Sequence, residues 1–375
     1  MLVVYNMAVK PADPKFLMSL FFLAFIVRLI ASLVRYWMLD ELYNWQGDAT
    51  NYWWLCQLVA NDFSEFGFSI LDKAYLQGTE AFVYSIGILF YLFSASLPAN
   101  FFLFTGISFI GSILFYRAYL LAYPDYDPTF FRIVIFFLPS ILFWTSSLGK
   151  DALIFFCLGS LAYGFVKYLR KGSWSGLVMA GIGLLIAGTI RPHIASFTTI
   201  AGGIAYFLFQ RKRSPQQILV VTAITGISFY AIQANSDFLI NTGLPDMSVE
   251  GVQYFYESLQ RRTLAGGSSF TPIDIQAPYG IPLAIVTVFF RPFVWEAHNA
   301  QSYGIAVEAM MTMLMFWFQR HLLWTRIKSM TSDPWIGFVL IYLLLMIIAF
   351  SSIANFGILA RQRTMILPFL WMLLV

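Results

Sequence analysis

The sequence predicts an all-α fold, a polytopic bundle of transmembrane helices with about ten spans plus interfacial helices. Composition is the first reason. Of 375 residues, 59% are hydrophobic and 11% charged, against roughly 25% charged in an ordinary soluble domain. A water-soluble fold of this size would lack the charge to cover its surface. Block length is the second reason: long apolar blocks run over 16–38 and 335–350, near the ~20 residues that a helix needs to cross hydrocarbon. The third is the placement of basic turns, which assigns sides to the spans.

In chain order, the apolar segments are 16–38, 82–97, 100–122, 129–146, 152–169, 175–190, 194–209, 218–234, 283–293, 306–317, 335–354 and 364–375. Residues 1–15 carry Lys10, Pro11 and Pro14, and no A-x-A-like site follows, so no cleavable signal peptide is expected and the first helix stays as an anchor. Two long polar segments, 40–80 and 235–282, interrupt the helices. They divide the chain into a transmembrane module over 1–234, whose first outer loop is 40–80, and a region 235–375 holding a second outer segment and the last helices. The turns with Lys167, Arg170 and Lys171, with Arg211, Lys212 and Arg213, and with Arg320, Arg326 and Lys328 are expected to stay cytoplasmic. Starting from an inner N-terminus, this holds only if 82–97 and 283–293 do not cross, as interfacial or re-entrant helices. Both termini then lie inside, and 40–80, Lys150-Asp151, Arg191-Pro192-His193, 235–299 and Arg361-Gln362-Arg363 share the outer face.

Several functions are disfavoured. The net charge of +4 is small and its cations are dispersed, so nucleic acid is not expected as a partner. Cys56 and Cys157 are the two cysteines, too few for a disulfide scaffold or a thiolate metal site, and both read as small apolar residues. The chain has no Gly-rich phosphate loop, no H-E-x-x-H pair and no G-x-S-x-G elbow.

Ionisable groups at helix mouths in a membrane are costly and tend to be paired or functional. Asp48, in Gly47-Asp48-Ala-Thr-Asn-Tyr52, reads either as the cap of an amphipathic helix or as a general base or metal anchor at the membrane surface. Asp40 and Glu41 are rival carboxylates, or solvated loop charges. Lys150-Asp151 follows Trp144-Thr-Ser-Ser-Leu-Gly. There the lysine suits a phosphate as a point charge and the aspartate orients it or holds a divalent cation; a local helix-capping pair is the alternative. Pro192 starts a helix and leaves Arg191 and His193 in the break, as ligand or acid–base groups or as a snorkelling turn. With Arg261, Arg262, Arg291, Arg361 and Arg363, these outer segments collect seven cations where the positive-inside rule expects few. A lipid-borne phosphate or pyrophosphate is the simplest anion to need them. Aromatic residues such as Tyr52, Trp53, Trp54 and Tyr75 form an interfacial belt or stack on sugar rings.

This order of features over about residues 16–200 resembles the GT-C superfamily of membrane glycosyltransferases, which use polyprenyl-phosphate-linked sugars. A first span leads to an acidic outer loop (Asp40-Glu41 or Gly47-Asp48-x-x-x-Tyr52). An interfacial stretch after Glu80, two spans and a second acidic turn (Pro139 to Lys150-Asp151) follow. The resemblance implies a GT-C-like bundle in a bacterial inner membrane that takes a sugar from a polyprenyl-(pyro)phosphate donor to a glycan or lipid acceptor. Asp48, with Asp40 as rival, would be the catalytic base. Asp151 would help bind donor or a metal ion; the charge placement adds Lys150, Arg191, His193, Arg291, Arg361 and Arg363 as donor-binding candidates and Glu80 as a partner of Asp151 for Mg or Mn. Lys150 departs from the pattern, since many relatives have a neutral residue before the acid. Arg291-Pro-Phe-Val-Trp-Glu296 and Arg361-Gln-Arg363 look like bacterial polysaccharide-cluster membrane proteins, including polymerase-like ones. A polysaccharide or O-antigen-type polymerase or ligase, and a lipid-linked glycan transporter or flippase, are therefore the alternative readings.

Overall fold

A computed structural model describes residues 1–67, 69–70, 78–93, 96–209 and 277–375, with residues 268–275 and scattered positions between 222 and 264. The segments 218–234 and 235–267, most of the second polar stretch and Arg262 lie outside the described residues or at their isolated positions. Two compact units form, Met1–Ala195 and Ser196–Val375; the expected division near residue 234 falls outside the described residues. Among the described residues every regular element is helical. Among the described residues four helices are long and apolar enough to cross a membrane, and the bent pair Arg320–Thr331 with Pro334–Phe350 makes a candidate fifth.

In the first unit α1 (Met18–Glu41) is apolar except for Arg28 and Arg35 in its interior. It is followed by α2 (Asp48–Phe66), α3 (Gly78–Phe93) and α4 (Leu97–Ala122). Segment 129–146 is two helices, α5 (Thr129–Phe137) and α6 (Pro139–Trp144), because Pro139 supplies no N–H and drives Leu138 into extended backbone. Then come α7 (Lys150–Lys171), α8 (Trp174–Ile190) and α9 (Pro192–Phe209), which begins in the first unit and lies mostly in the second.

Ring contacts set the directions. Phe25 meets Phe109 and Tyr36 meets Phe101, so α1 and α4 are antiparallel and the C-terminus of α1 lies beside the N-terminus of α4. Tyr52 meets Phe82 and Phe63 meets Tyr91, so α2 and α3 run parallel.

Small residues bring α4, α7 and α8 together. A Cβ on Gly159 would sit 2.6 Å from the Gly111 carbonyl oxygen, and one on Gly164 would sit 2.4 Å from that of Gly176. Backbones that approach this closely gain dispersion and weak polar contacts without a hydrophobic driving force, the usual way helices associate in lipid. Gly159→Leu should therefore force α7 off α4. Overpacking of this kind costs about 1–3 kcal/mol, to be read as a lower unfolding midpoint in detergent while Gly181→Leu, in open space, leaves it unchanged.

At the opposite end from the α1 C-terminus, Asp13 anchors the N-terminal segment. Its carboxylate accepts from Arg132 Nη2 at 2.7 Å and from the Tyr116 hydroxyl, and Phe16 packs under the Arg132 guanidinium at 4.8 Å.

The second unit contains α10 (Gly280–Phe290), α11 (Ala300–Phe318), α12 (Arg320–Lys328), α13 (Pro334–Phe350), α14 (Phe356–Arg363) and α15 (Leu367–Leu374). Segment 335–354 stops at Phe350. Arg361 and Arg363 belong to the last turn of α14 rather than to a loop, where cations oppose the negative helix end. Arg326, assigned from sequence to a basic turn, is buried at 3% exposure and donates to the carbonyls of Met372 and Val375.

Candidate functional site

The first unit gathers its chemistry where α1 ends and α4 and α7 begin. α2 starts there with Gly47 as the extended cap and Asp48 as the first helical residue. Asp48 is thus not the cap expected from sequence; its exposed carboxylate sits in the first turn, where the positive helix end stabilises it. One turn on, Tyr52 lies under Lys150, whose Nζ is 5.7 Å from the ring centroid. Lys150 begins α7 and donates to Thr79 Oγ1 at 2.6 Å, which places the start of α3 against the start of α7. The first turns of three helices therefore surround one ammonium group, and each brings the partial positive charge of a helix N-terminus to it.

Asp151 is 5% and Arg191 8% exposed, and Arg191 Nη2 donates to Asp151 Oδ1 at 2.5 Å. Helix ends explain the pair. Asp151 is in the first turn of α7 and Arg191 is the C-cap of α8, so each charge faces the helix end of opposite sign. Pro192 starts α9 directly after it, which fixes the break that sequence expected. His193, in the first turn of α9, is exposed.

Asp40 and Glu41 are exposed in the last turn of α1, next to the negative helix end that disfavours them. Glu80 is exposed in the first turn of α3, beside Thr79. Asp151 is turned to Arg191 with Lys150 next in sequence, and among the described residues no three His, Cys, Asp or Glu side chains gather. A cavity of about 440 Å³ opens between α2 and α3, lined by Gln57, Asn61, Ser64, Phe90, Tyr91 and Ser96: neutral hydrogen-bonding groups and rings, without a formal charge. Cys56, close by, is an inert apolar filler, since burial pushes its thiol up to about 12.

Sequence reasoning missed two residues here. Arg28 is fully buried and donates to Ser112 Oγ at 2.7 Å, Thr145 Oγ1 at 2.9 Å and the Ser108 carbonyl at 3.4 Å. Arg35 donates to Ser147 Oγ at 3.1 Å and lies over Phe143 and Trp144 at 4.5 and 5.2 Å. The signal was available: Arg28, Ser32 and Arg35 fall at i, i+4 and i+7 in an apolar run, a polar stripe on one helix face.

In the second unit Arg291 lies over Phe270 and Phe356 at 4.7 and 5.1 Å, and these two rings stack at 4.2 Å. Its guanidinium grips Glu296 through Nε at 3.0 and 3.1 Å and through Nη2. Arg363, 3% exposed, donates to the Arg291 carbonyl. Arg291 and Arg363 thus meet through a backbone carbonyl, and the Arg291 charge is compensated by Glu296. Arg261 is exposed and pairs with Glu257 at 3.5 Å.

Burial alone would raise the Glu296 carboxyl; the Arg291 guanidinium and the Phe293 N–H more than offset it and hold the group below the usual carboxylate range. A carboxyl with a depressed folded value lends stability above its unfolded pKa of about 4.3 and loses it as pH falls toward the folded value. Acidification below pH 4.3 should therefore weaken the second unit. Glu296→Gln should remove that part of the acid limb, measured by unfolding midpoint against pH.

Fold and site together define a helical, membrane-embedded protein with a cationic cluster at one end of its first unit. Comparison with protein families, curated proteins and solved structures finds no match.

Proposed function

We propose that this chain is a multi-pass membrane glycosyltransferase of GT-C type that moves a sugar from a polyprenyl-phosphate or -pyrophosphate donor to a glycan or lipid acceptor. The reaction would occur at the outer face of a bacterial inner membrane, in a bundle of about ten crossings. The observation that carries this reading is the cluster of Lys150, Tyr52 and Thr79 at three helix N-termini, with the Asp48 carboxylate one turn from Tyr52. Lys150 and the helix ends offset the charge that develops on the departing lipid phosphate, which is electrostatic catalysis by groups already in place. Asp48 takes the acceptor hydroxyl proton as general base. Asp151 holds Arg191 at the rim of the cluster, and exposed His193 is next to it in sequence. The neutral cavity between α2 and α3 suits a sugar acceptor.

The test is transfer from a radiolabelled polyprenyl-phosphate sugar by purified protein in lipid, with Asp48→Asn and Lys150→Met alongside. Transfer by the wild type that both variants lose supports the reading; full transfer by Asp48→Asn removes the base. A polymerase or ligase of the same pathway is the second reading. The engagement of Asp151 by Arg191 favours it, because chemistry resting on cations needs no divalent ion. Undiminished activity in a metal chelator would agree with that reading.

A further inference from the structure

Four cations surround the turn from Trp144 to Asp151. Lys150 and Arg191 approach it from α7 and the α8–α9 break, and Arg28 and Arg35 approach it from α1 through Thr145 and Ser147. Asp151 is the buried carboxylate among these four cations; Asp48 and Glu80 are exposed, so solvent screens them. Arg28 is the costly member. It is fully buried in a candidate span, its hydrogen bonds go to hydroxyls and one carbonyl, and among the described residues no carboxylate lies within 4 Å of it. Its Nε has no acceptor, and the hydroxyls of Ser32, one turn further along α1, and Ser146, next to Thr145, are also buried without a partner. A buried guanidinium with no counter-ion, beside unused donors, marks a place that an anion completes.

We propose that the Arg28–Arg35 face of α1 and the Thr145–Ser147 turn form a second phosphate subsite behind Lys150, so that the anion held here is a diphosphate ester. This rests on the reading of the Lys150 cluster as a lipid-phosphate site and narrows its ligand to the pyrophosphate-linked class. One phosphate lies against Lys150 and the helix N-termini. The other takes the Arg35 guanidinium, the Ser146 and Ser147 hydroxyls and, behind them, the field of Arg28. The first contact is charge-assisted through a point-charge ammonium, and the second is of the kind that a fork-shaped guanidinium makes with phosphate.

The probes are geranylgeranyl monophosphate, geranylgeranyl diphosphate and inorganic pyrophosphate, titrated against the full chain in nanodiscs. The diphosphate lipid should bind at least tenfold more tightly than the monophosphate. Arg35→Gln and Arg28→Gln should each erase that preference while monophosphate affinity stays within about twofold, a split that a merely structural role would not produce. Because Arg28→Gln threatens folding, Arg35→Gln, on a half-buried side chain, is the deciding variant. Equal affinity for the two lipids, or a preference retained in Arg35→Gln, overturns the proposal. Lys150→Met separates the two claims. If it leaves both lipids bound as tightly as before, the Lys150 cluster itself is not the phosphate site. If it weakens both while the wild type shows no preference, the cluster stands and the second subsite falls. Inorganic pyrophosphate that competes as well as the lipid diphosphate would identify a soluble diphosphate as the ligand; weak competition assigns the lipid.

Discussion

Asparagine in place of Asp151 is expected to lower the stability of the first unit by about 3–5 kcal/mol, the usual cost of leaving one member of a buried ion pair uncompensated. The two side chains are 10% and 6% exposed and meet at 2.5 Å, so little solvent remains to screen Arg191 once the carboxylate is gone. Arg191→Met should be similarly harmful, because it leaves the Asp151 carboxylate buried beside other groups. The double variant Asp151→Leu with Arg191→Met should recover much of the loss, since replacing both charges by apolar groups of similar volume is often neutral. Unfolding midpoints of the four proteins in one detergent give the cycle. Single variants as stable as the wild type would mean that the pair is not formed.

Asp48→Asn is expected to reduce sugar transfer by about 10²–10⁴-fold, the usual contribution of a positioned general base, with an unchanged unfolding midpoint. The stability expectation follows from exposure: Asp48 starts α2 facing solvent, and Asn fills the position without burying a new group. Asp40→Asn and Glu41→Gln should have much smaller effects, because both residues end α1 and neither belongs to the turn that carries Tyr52. Transfer rates at saturating donor separate these carboxylates. A larger loss in Asp40→Asn than in Asp48→Asn would move the base to the end of α1.

Much of the helical fold was legible, for a simple reason. In lipid every backbone N–H and C=O must be satisfied within the segment, so a long apolar run has one solution. That is why 16–38, 100–122, 152–169 and 194–209 reappear as long helices with shifted ends. Proline broke segment 129–146 in two, a local rule that a hydropathy window averages away. Asp48, Lys150, Asp151 and Arg191 were also legible as candidates, since charged residues at helix mouths stand out against so apolar a chain.

Their partners were not legible. Lys150 meets Thr79 and Tyr52 across 71 and 98 positions of sequence, and Asp151 finds Arg191 across 40. Nothing in local pattern specifies such pairings; they depend on parallel and antiparallel helix packing, set by close glycine contacts and by ring positions. The same packing turned Arg28 and Arg35, hidden in an apolar span, into the donors beside the Trp144–Asp151 turn, and closed Glu296 around Arg291. The sequence by itself determined that this is a membrane-embedded helical protein with costly charges at its helix mouths, because solvent and hydrogen-bond requirements act residue by residue. Only the tertiary structure decided which neighbour each of these charges meets, because such pairing is a matter of distance between elements.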